Sequence, residues 1–250
     1  MILSGAMSVF LINSVSFKDF FTLVVSFCAL AISLQSYLQR KSENRFSLRK
    51  HLTEVLEKIT DLNTDVAKYR SLQNKEGYPQ NYVAIVNDQR RFFARQAAHL
   101  ADQIRDMTSP YEYLVIAGAL SEVEAVDQAE TYFKKALEME NTPMETARIS
   151  RAYGRFLFQE GRPEEGRDKF WDADTSVQGT SDVELAFRGN TYERLAIAEE
   201  EYAPDRSEAL LERAVDIYKQ FHHPLRRDRE VERVRGLLRR RRNEPERMAP

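Results

Sequence analysis

The sequence predicts an all-helical protein with a single transmembrane helix near its N-terminus. Charged residues make up 30% of the 250 residues, whereas glycine and proline number only 9 and 8, and this composition favours helices over a many-turned β architecture. One long uncharged stretch lies before residue 40, and a seven-residue repeat of apolar residues follows it. The chain is long enough to bury a core without disulfides or metal ions.

The transmembrane prediction rests on residues 20–38, which carry no charged side chain. A helix of that length rises about 28 Å, close to the roughly 30 Å hydrocarbon core of a bilayer. We therefore expect a transmembrane helix at 17–39. Residues 1–16 are also apolar, but they are short and rich in Ser, Gly and Asn, so they form either an interfacial segment or a second, weaker span.

Three other interpretations of this segment make different demands on the sequence. A buried core helix needs a polar face, but the serines are scattered around the helix. A mitochondrial presequence is rich in arginine, and residues 1–39 contain none. A cleaved signal peptide is the remaining alternative, with Lys18 as its basic region and cleavage after Ala31, although apolar residues continue as far as Leu38.

The charges beside the span predict its orientation. Basic residues are more numerous after it than before it, where Lys18 is offset by Asp19. Those that follow are Arg40, Lys41, Arg45, Arg49 and Lys50. Because cytoplasmic flanks carry the excess of lysine and arginine, we expect a single-pass membrane protein with its C-terminal bulk in the cytoplasm.

A heptad of apolar residues continues from the basic cluster. Its members alternate steps of four and three and are Leu48, Leu52, Val55, Ile59, Leu62 and Val66. β-Branched residues alternating with leucine favour a parallel two-stranded coiled coil, so this seam is a candidate for self-association as a homodimer. A second helix expected at 81–107 has its own apolar face, and antiparallel pairing of the two helices within residues 40–108 is the alternative.

Residues 109–222 contain a degenerate repeat of small and aromatic residues. The repeated patterns are Ala129-x3-Phe133-x2-Ala136, then Gly166-x3-Phe170-x2-Ala173 after 37 residues, and Ser207-x3-Leu211-x2-Ala214 after 41 more. A helix carrying Tyr113, Tyr153 or Tyr192 precedes each pattern. The spacing predicts pairs of helices that approach closely at the small residues.

This region resembles the tetratricopeptide repeat over about residues 110–220. Gly154 and Gly161 fall at the first-helix and turn positions of that family, and Gly166, Phe170 and Ala173 fall at its second-helix positions. The chain departs from the family period of roughly 34 residues and lacks the first-helix tryptophan. The resemblance implies an α-solenoid of about three helix pairs.

Helix start signals divide the same region. A hydroxyl at the N-cap and a carboxylate three residues later satisfy the first free backbone N–H groups of a helix. This capping-box pattern occurs at Ser109–Glu112, Ser121–Glu124, Thr142–Glu145 and Ser181–Glu184. The signals together predict helices near 110–120, 122–140, 143–160, 163–174, 182–201 and 205–221.

The resemblance also implies a binding groove. In the tetratricopeptide family the first helix of each pair lines a groove that holds peptides, and this would place Arg148, Arg151, Arg155 and Phe158 on that surface. Guanidinium groups in a row suit an acidic peptide segment or a C-terminal carboxylate of a protein partner. The alternative is a solvated helix face whose arginines pair with Glu145, Glu160 or Glu164.

Residues 223–250 carry ten arginines against five acids and predict a basic amphipathic helix. One interpretation is a capping helix that closes the repeats with the apolar stripe Val231, Val234, Leu237 and Leu238. The other is contact with an anionic membrane surface through Arg235, Arg239, Arg240, Arg241 and Arg242. A nucleic-acid partner is not expected, because no aromatic residues are interleaved with the arginines.

Catalytic signatures are absent from the sequence. It contains no glycine-rich phosphate loop, HExxH or GxSxG motif, and its one cysteine, Cys28, lies in the apolar segment. We expect no catalytic residue, metal site or cofactor. The sequence favours a membrane-anchored scaffold or adaptor that binds a protein partner. The alternatives are a membrane effector that oligomerises through its N-terminal helices on sensing a signal, and an exported protein released by signal cleavage.

Overall fold

The computed structural model describes residues 17–72, 82–139 and 142–243, and the elements in this part of the chain are helices throughout. The all-α prediction is therefore confirmed for these residues. The helices are α1 Phe17–Leu72, α2 Tyr82–Gln103, α3 Pro110–Ser121, α4 Val126–Glu138, α5 Pro143–Gln159, α6 Pro163–Ser176, α7 Asp182–Glu199, α8 Pro204–Tyr218 and α9 Pro224–Asn243, with a 3₁₀ turn at Arg105–Met107.

The chain divides after Lys50 into two compact units, the second of which comprises residues 51–250. Within the described ranges, none of the helices contains an apolar stretch that could span a bilayer. Much of the predicted transmembrane helix lies outside that description, because the side chains of residues 17–26, 28 and 29 are not included in it, and residues 1–16 lie outside it entirely. Of the apolar side chains that are described, Leu30 and Ile32 are about two-thirds exposed, at 66% and 64%.

The second unit begins with an antiparallel helical hairpin. His51 in α1 lies beside Gln96 late in α2, with their Nε2 atoms 2.8 Å apart, whereas Tyr69 at the far end of α1 packs against Tyr82 at the start of α2, with ring centroids 5.1 Å apart. These two contacts run in opposite directions along the two helices. α1 and α2 are therefore antiparallel neighbours within one chain.

The predicted oligomerisation seam lies largely inside the folded chain. Leu52, Val55, Ile59 and Val66 are buried, while Leu48 and Leu62 are partly exposed. These four side chains could contact a second copy of the chain only if the residues that bury them moved away.

Three further hairpins follow the first. The closest helix pairs are α3 with α4, α5 with α6, and α7 with α8. The first helix of each hairpin also packs on the first helix of the next, α3 on α5 and α5 on α7, and α9 packs on α8. The paired helices lie where the repeat spacing and the start signals predict them, within a few residues at most ends.

Glycines permit the close approach of α5 and α6. A Cβ atom on Gly154 would lie 2.8 Å from Cδ2 of Phe170 and 2.9 Å from the carbonyl oxygen of Gly166. A Cβ atom on Gly166 would lie 2.5 Å from Cδ2 of Phe158. Both distances are shorter than packed carbon atoms tolerate, so any larger residue would push the two helices apart.

Three of the four predicted capping boxes form. Ser109, Thr142 and Ser181 each accept a hydrogen bond from the backbone of the third helical residue, whose glutamate accepts one in return. The fourth, Ser121–Glu124, was predicted wrongly. Ser121 is the last residue of α3, and α4 begins only at Val126, because the residues between them complete the end of one helix instead of starting the next.

That helix end is a Schellman turn with glutamate in the left-handed position. Glu124 has φ of 62°, its N–H donates to the carbonyl oxygen of Ser121 at 3.1 Å, and the N–H of Ala125 donates to that of Leu120 at 3.0 Å. The same turn closes α5 at Gly161, which has φ of 72°. Glu124 and Gly161 are 37 residues apart, which is the first repeat offset.

Candidate functional site

The first helices of three successive hairpins line one groove of about 290 Å³. We call it the arginine groove because four of its residues are arginines. Its lining consists of Leu114 from α3, Arg148, Arg151, Ala152 and Arg155 from α5, Phe170 from α6 and Arg194 from α7. The structure thus brings together the three predicted arginines and adds a fourth from the neighbouring helix.

Sequence reasoning missed Arg194 because it followed the single helix α5. The available signal was the spacing on α7, where Arg194 comes four residues after Asn190 and so lies on the same face of that helix. Asn190 contacts Arg151 on α5. Recognising the site from sequence would have required knowing which face of α7 packs against α5.

Arg151 is the most firmly held of the four. Its Nη1 donates to Oδ1 of Asn190 at 3.1 Å and makes a longer contact of 3.4 Å with Oγ1 of Thr191. Its guanidinium carbon lies 4.2 Å from the centre of the Phe187 ring. The Nε and Nη2 groups of Arg151 have no acceptor among the described residues, so one edge of the guanidinium fork is fixed in position and free to bind.

The four groove arginines have no carboxylate within 4.0 Å in the part of the chain that the structure describes. Two of the acids that were their alternative partners are engaged elsewhere. The Glu145 carboxylate accepts hydrogen bonds from the backbone N–H and the hydroxyl of Thr142, and Glu164 pairs with Arg167 at 3.1 Å. The positive charge of the groove is therefore not neutralised by ion pairing within these residues.

Burial and mutual repulsion act on these arginines together. The pKa of Arg151 is lowered to about 10, chiefly by burial and in smaller part by the charges of Arg194 and Arg148. Burial also lowers the pKa of Arg155, again with a contribution from Arg194. Guanidinium groups from α5 and α7 are therefore close enough to repel one another, and an anion in the groove would relieve that repulsion.

Three other arginines pair with carboxylates that tyrosine hydroxyl groups also contact. We call these sets the carboxylate triads, and they are Glu130–Arg162–Tyr153, Asp174–Arg188–Tyr192 and Glu193–Arg233–Tyr218. Each carboxylate accepts from groups that come later in the chain. The Arg162 hydrogen bond is the main reason that the pKa of Glu130 is lowered to about 2. The four groove arginines, by contrast, have no carboxylate partner among the described residues.

Phe158 does not line the groove, although it was predicted to lie there. It is 4% exposed and packs edge to face against Phe170 and Tyr202, with ring centroids 6.0 and 5.7 Å away. The absence of a side chain at Gly166 opens the space that its ring occupies. The close approach of α5 and α6 therefore draws Phe158 into the core.

The arginines of α9 are divided between structural and exposed positions. Val231, Val234 and Leu238 are buried, as a capping helix requires. Of the residues predicted to contact an anionic surface, two bind acids of the same chain, since Arg239 pairs with Glu232 and Arg241 pairs with Glu200. Arg235 and Arg240 are exposed, and the side chain of Arg242 lies outside the described residues.

The described residues include no group of three or more His, Cys, Asp or Glu side chains placed to hold a metal ion. No family model, curated protein or solved structure matches the chain. The arginine groove combines a concave surface with four arginines that have no carboxylate partner among the described residues.

Proposed function

We propose that the chain is a membrane-anchored adaptor whose helical hairpins form a tetratricopeptide-like solenoid that holds an acidic segment of a protein partner. The observation that carries the proposal is the arginine groove, where four guanidinium groups from two helices have no carboxylate partner among the described residues. A site of this kind favours a ligand that brings its own negative charge.

The spacing of the arginines supports an extended acidic segment. Arg148, Arg151 and Arg155 are separated by about 4.5 and 6 Å along the axis of α5. Alternate residues of an extended peptide lie about 6.6 Å apart and point to the same side. Acidic side chains at alternate positions would therefore reach successive arginines, each through charge-assisted hydrogen bonds worth roughly 1.5–3 kcal/mol.

The membrane anchor is supported by the sequence. Residues 20–38 are uncharged over the length of a bilayer span, and basic residues follow them. Several large apolar side chains described in this stretch, among them Leu30, Ile32, Leu34 and Leu38, are more than half exposed within the chain. A bilayer would cover them. The adaptor would then act by raising the effective concentration of its partner at the membrane.

Binding can be tested with the full chain in detergent and a fluorescein-labelled peptide of alternating glutamate and serine. We expect Arg151→Gln to weaken binding at least tenfold, because it removes the fixed guanidinium edge. Arg95→Gln is the matched control, since Arg95 is an exposed residue of α2 outside the groove and loses the same charge. Equal affinities for the wild type and Arg151→Gln would contradict the proposed groove.

The anchor can be tested separately by extracting cell membranes with alkaline carbonate. The full chain should remain in the membrane pellet, and a chain that lacks residues 1–39 should appear in the supernatant. Extraction of the full chain into the supernatant would refute the anchor and leave the groove proposal standing.

A further inference from the structure

The groove arginines converge on one space from two helices. Arg151 and Arg155 belong to α5, whereas Arg194 belongs to α7, and all three line the same groove. The two helices are in direct contact beside the groove, because Arg151 reaches Asn190 and Thr191 of α7 at 3.1 and 3.4 Å. Arginines on a single helix would face the groove from one side only, whereas these come from two helices that line it together.

Convergent guanidinium groups distinguish between anions by charge and by number of oxygen atoms. A carboxylate brings one charge and two oxygens, whereas a phosphate monoester brings a charge of about −1.5 to −2 and three terminal oxygens. The Nε–Nη2 edge of Arg151 has the fork geometry that takes two oxygens of one anion. The third oxygen of a phosphoryl group would then be available to Arg155 or Arg194.

Arg151 is also organised before a ligand arrives. The amide of Asn190 holds Nη1, and the Phe187 ring packs against the guanidinium group with its centre 4.2 Å from the guanidinium carbon, so binding at the Nε–Nη2 edge costs little further ordering. Lysine could not reproduce this arrangement, because its ammonium group lacks a planar pair of donors.

We propose that the arginine groove recognises a phosphoryl group on a phosphorylated segment of a protein partner. This inference rests on the proposed function, in which the groove holds an anionic segment of a protein, and it specifies the anion. A phosphoryl group neutralises more of the four positive charges in the groove than a single carboxylate does.

The test compares three degenerate nine-residue peptide libraries that differ only in the central residue, which is phosphoserine, serine or glutamate. Each is titrated against the full chain in detergent by fluorescence anisotropy at constant ionic strength. We expect the phosphoserine library to bind at least tenfold more tightly than the glutamate library, and the serine library to bind weakest. Arg151→Lys should reduce the preference for phosphoserine over glutamate severalfold, and Arg95→Lys should leave it unchanged.

A pH series provides a second readout. The second phosphate pKa is about 6, so affinity for the phosphoserine library should fall as the pH is lowered from 7.5 to 5.5. Affinity for the glutamate library should not change over this range, because glutamate remains ionised. Identical pH profiles for the two libraries would overturn the inference.

The remaining outcomes separate this inference from the proposed function. If the glutamate library binds as tightly as the phosphoserine library and both lose affinity in Arg151→Gln, the phosphoryl preference is overturned and the acidic partner stands. If no library binds, both proposals fail. If inorganic phosphate binds as tightly as the phosphoserine library, the groove is a site for a free anion, and the assignment to a protein segment is overturned.

Discussion

Removing the glycine from one of the two matched Schellman turns and introducing one into the other should change the stability of the hairpins in opposite directions. Gly161 has φ of 72°, and a Cβ atom added to it would meet nothing within 4 Å. Gly161→Ala therefore tests backbone strain without a steric clash. Placing a residue with a Cβ atom in the left-handed region costs roughly 1 kcal/mol, so the variant should be less stable by about that amount.

Glu124 already bears this strain at φ of 62°. Its side chain is exposed and makes no hydrogen bond or ion pair among the described residues. Glu124→Gly should therefore raise the free energy of unfolding by about 1 kcal/mol, because glycine adopts the left-handed conformation without steric cost. Glu124→Ala is the matched control, since it removes the same side chain and keeps the strain.

Thermal unfolding of the full chain, followed by the helical circular dichroism signal, measures these differences. For a domain of roughly 150–250 residues, 1 kcal/mol corresponds to a change in Tm of about 2–4 °C. We expect Glu124→Gly to melt higher than the wild type by this amount, Gly161→Ala to melt lower, and Glu124→Ala to match the wild type. If Glu124→Gly and Glu124→Ala melt at the same temperature, backbone strain at this turn does not limit stability.

Two further predictions concern packing and acid stability. Gly166→Ala should lower the free energy of unfolding by about 1–3 kcal/mol, because the new Cβ atom would clash with Phe158. Gly118→Ala is the matched control, since its Cβ atom would meet nothing within 4 Å and should stabilise α3 by roughly 0.5–1 kcal/mol. Equal Tm values for the two variants would disprove the close contact at Gly166. The pKa of Glu130 is lowered from 4.5 to about 2, chiefly by Arg162. The ionised Glu130 carboxylate therefore contributes to the free energy of unfolding above pH 4.5, and this contribution is lost as the pH falls towards 2. In acid denaturation, the free energy of unfolding of Glu130→Gln should fall less steeply between pH 4.5 and pH 2 than that of the wild type. The same dependence on pH in both proteins would show that Glu130 does not contribute.

Local signals predicted the helix starts well. Ser109, Thr142 and Ser181 each begin a helix where the capping box predicts it, because the box depends only on neighbouring residues. The same signal gave a wrong prediction at Ser121, because a serine and a glutamate three residues apart can also lie at the C-terminal end of a helix. The decision there depends on the left-handed backbone at Glu124, which the spacing of residue types does not reveal.

The groove was only partly predictable for a different reason. Helical spacing placed Arg148, Arg151 and Arg155 on one face of α5, and the structure brings all three to the groove. Spacing alone could not predict that these arginines lack ion pairs, because Glu164 was a plausible partner for them. In the structure Glu164 pairs with Arg167 instead. Contacts between elements distant in the chain, such as Arg194 with α5, require the packing itself.

The carboxylate triads give the two populations of arginine different responses to salt. The acids Asp174 and Glu193 are more than 90% buried, so their attraction to arginine is screened only weakly by ions in solution. Binding in the open groove gains its energy from charges that solvent ions reach. A moderate rise in ionic strength should therefore release a bound partner while the hairpins stay assembled, which makes salt the natural eluent for recovering that partner from an intact protein.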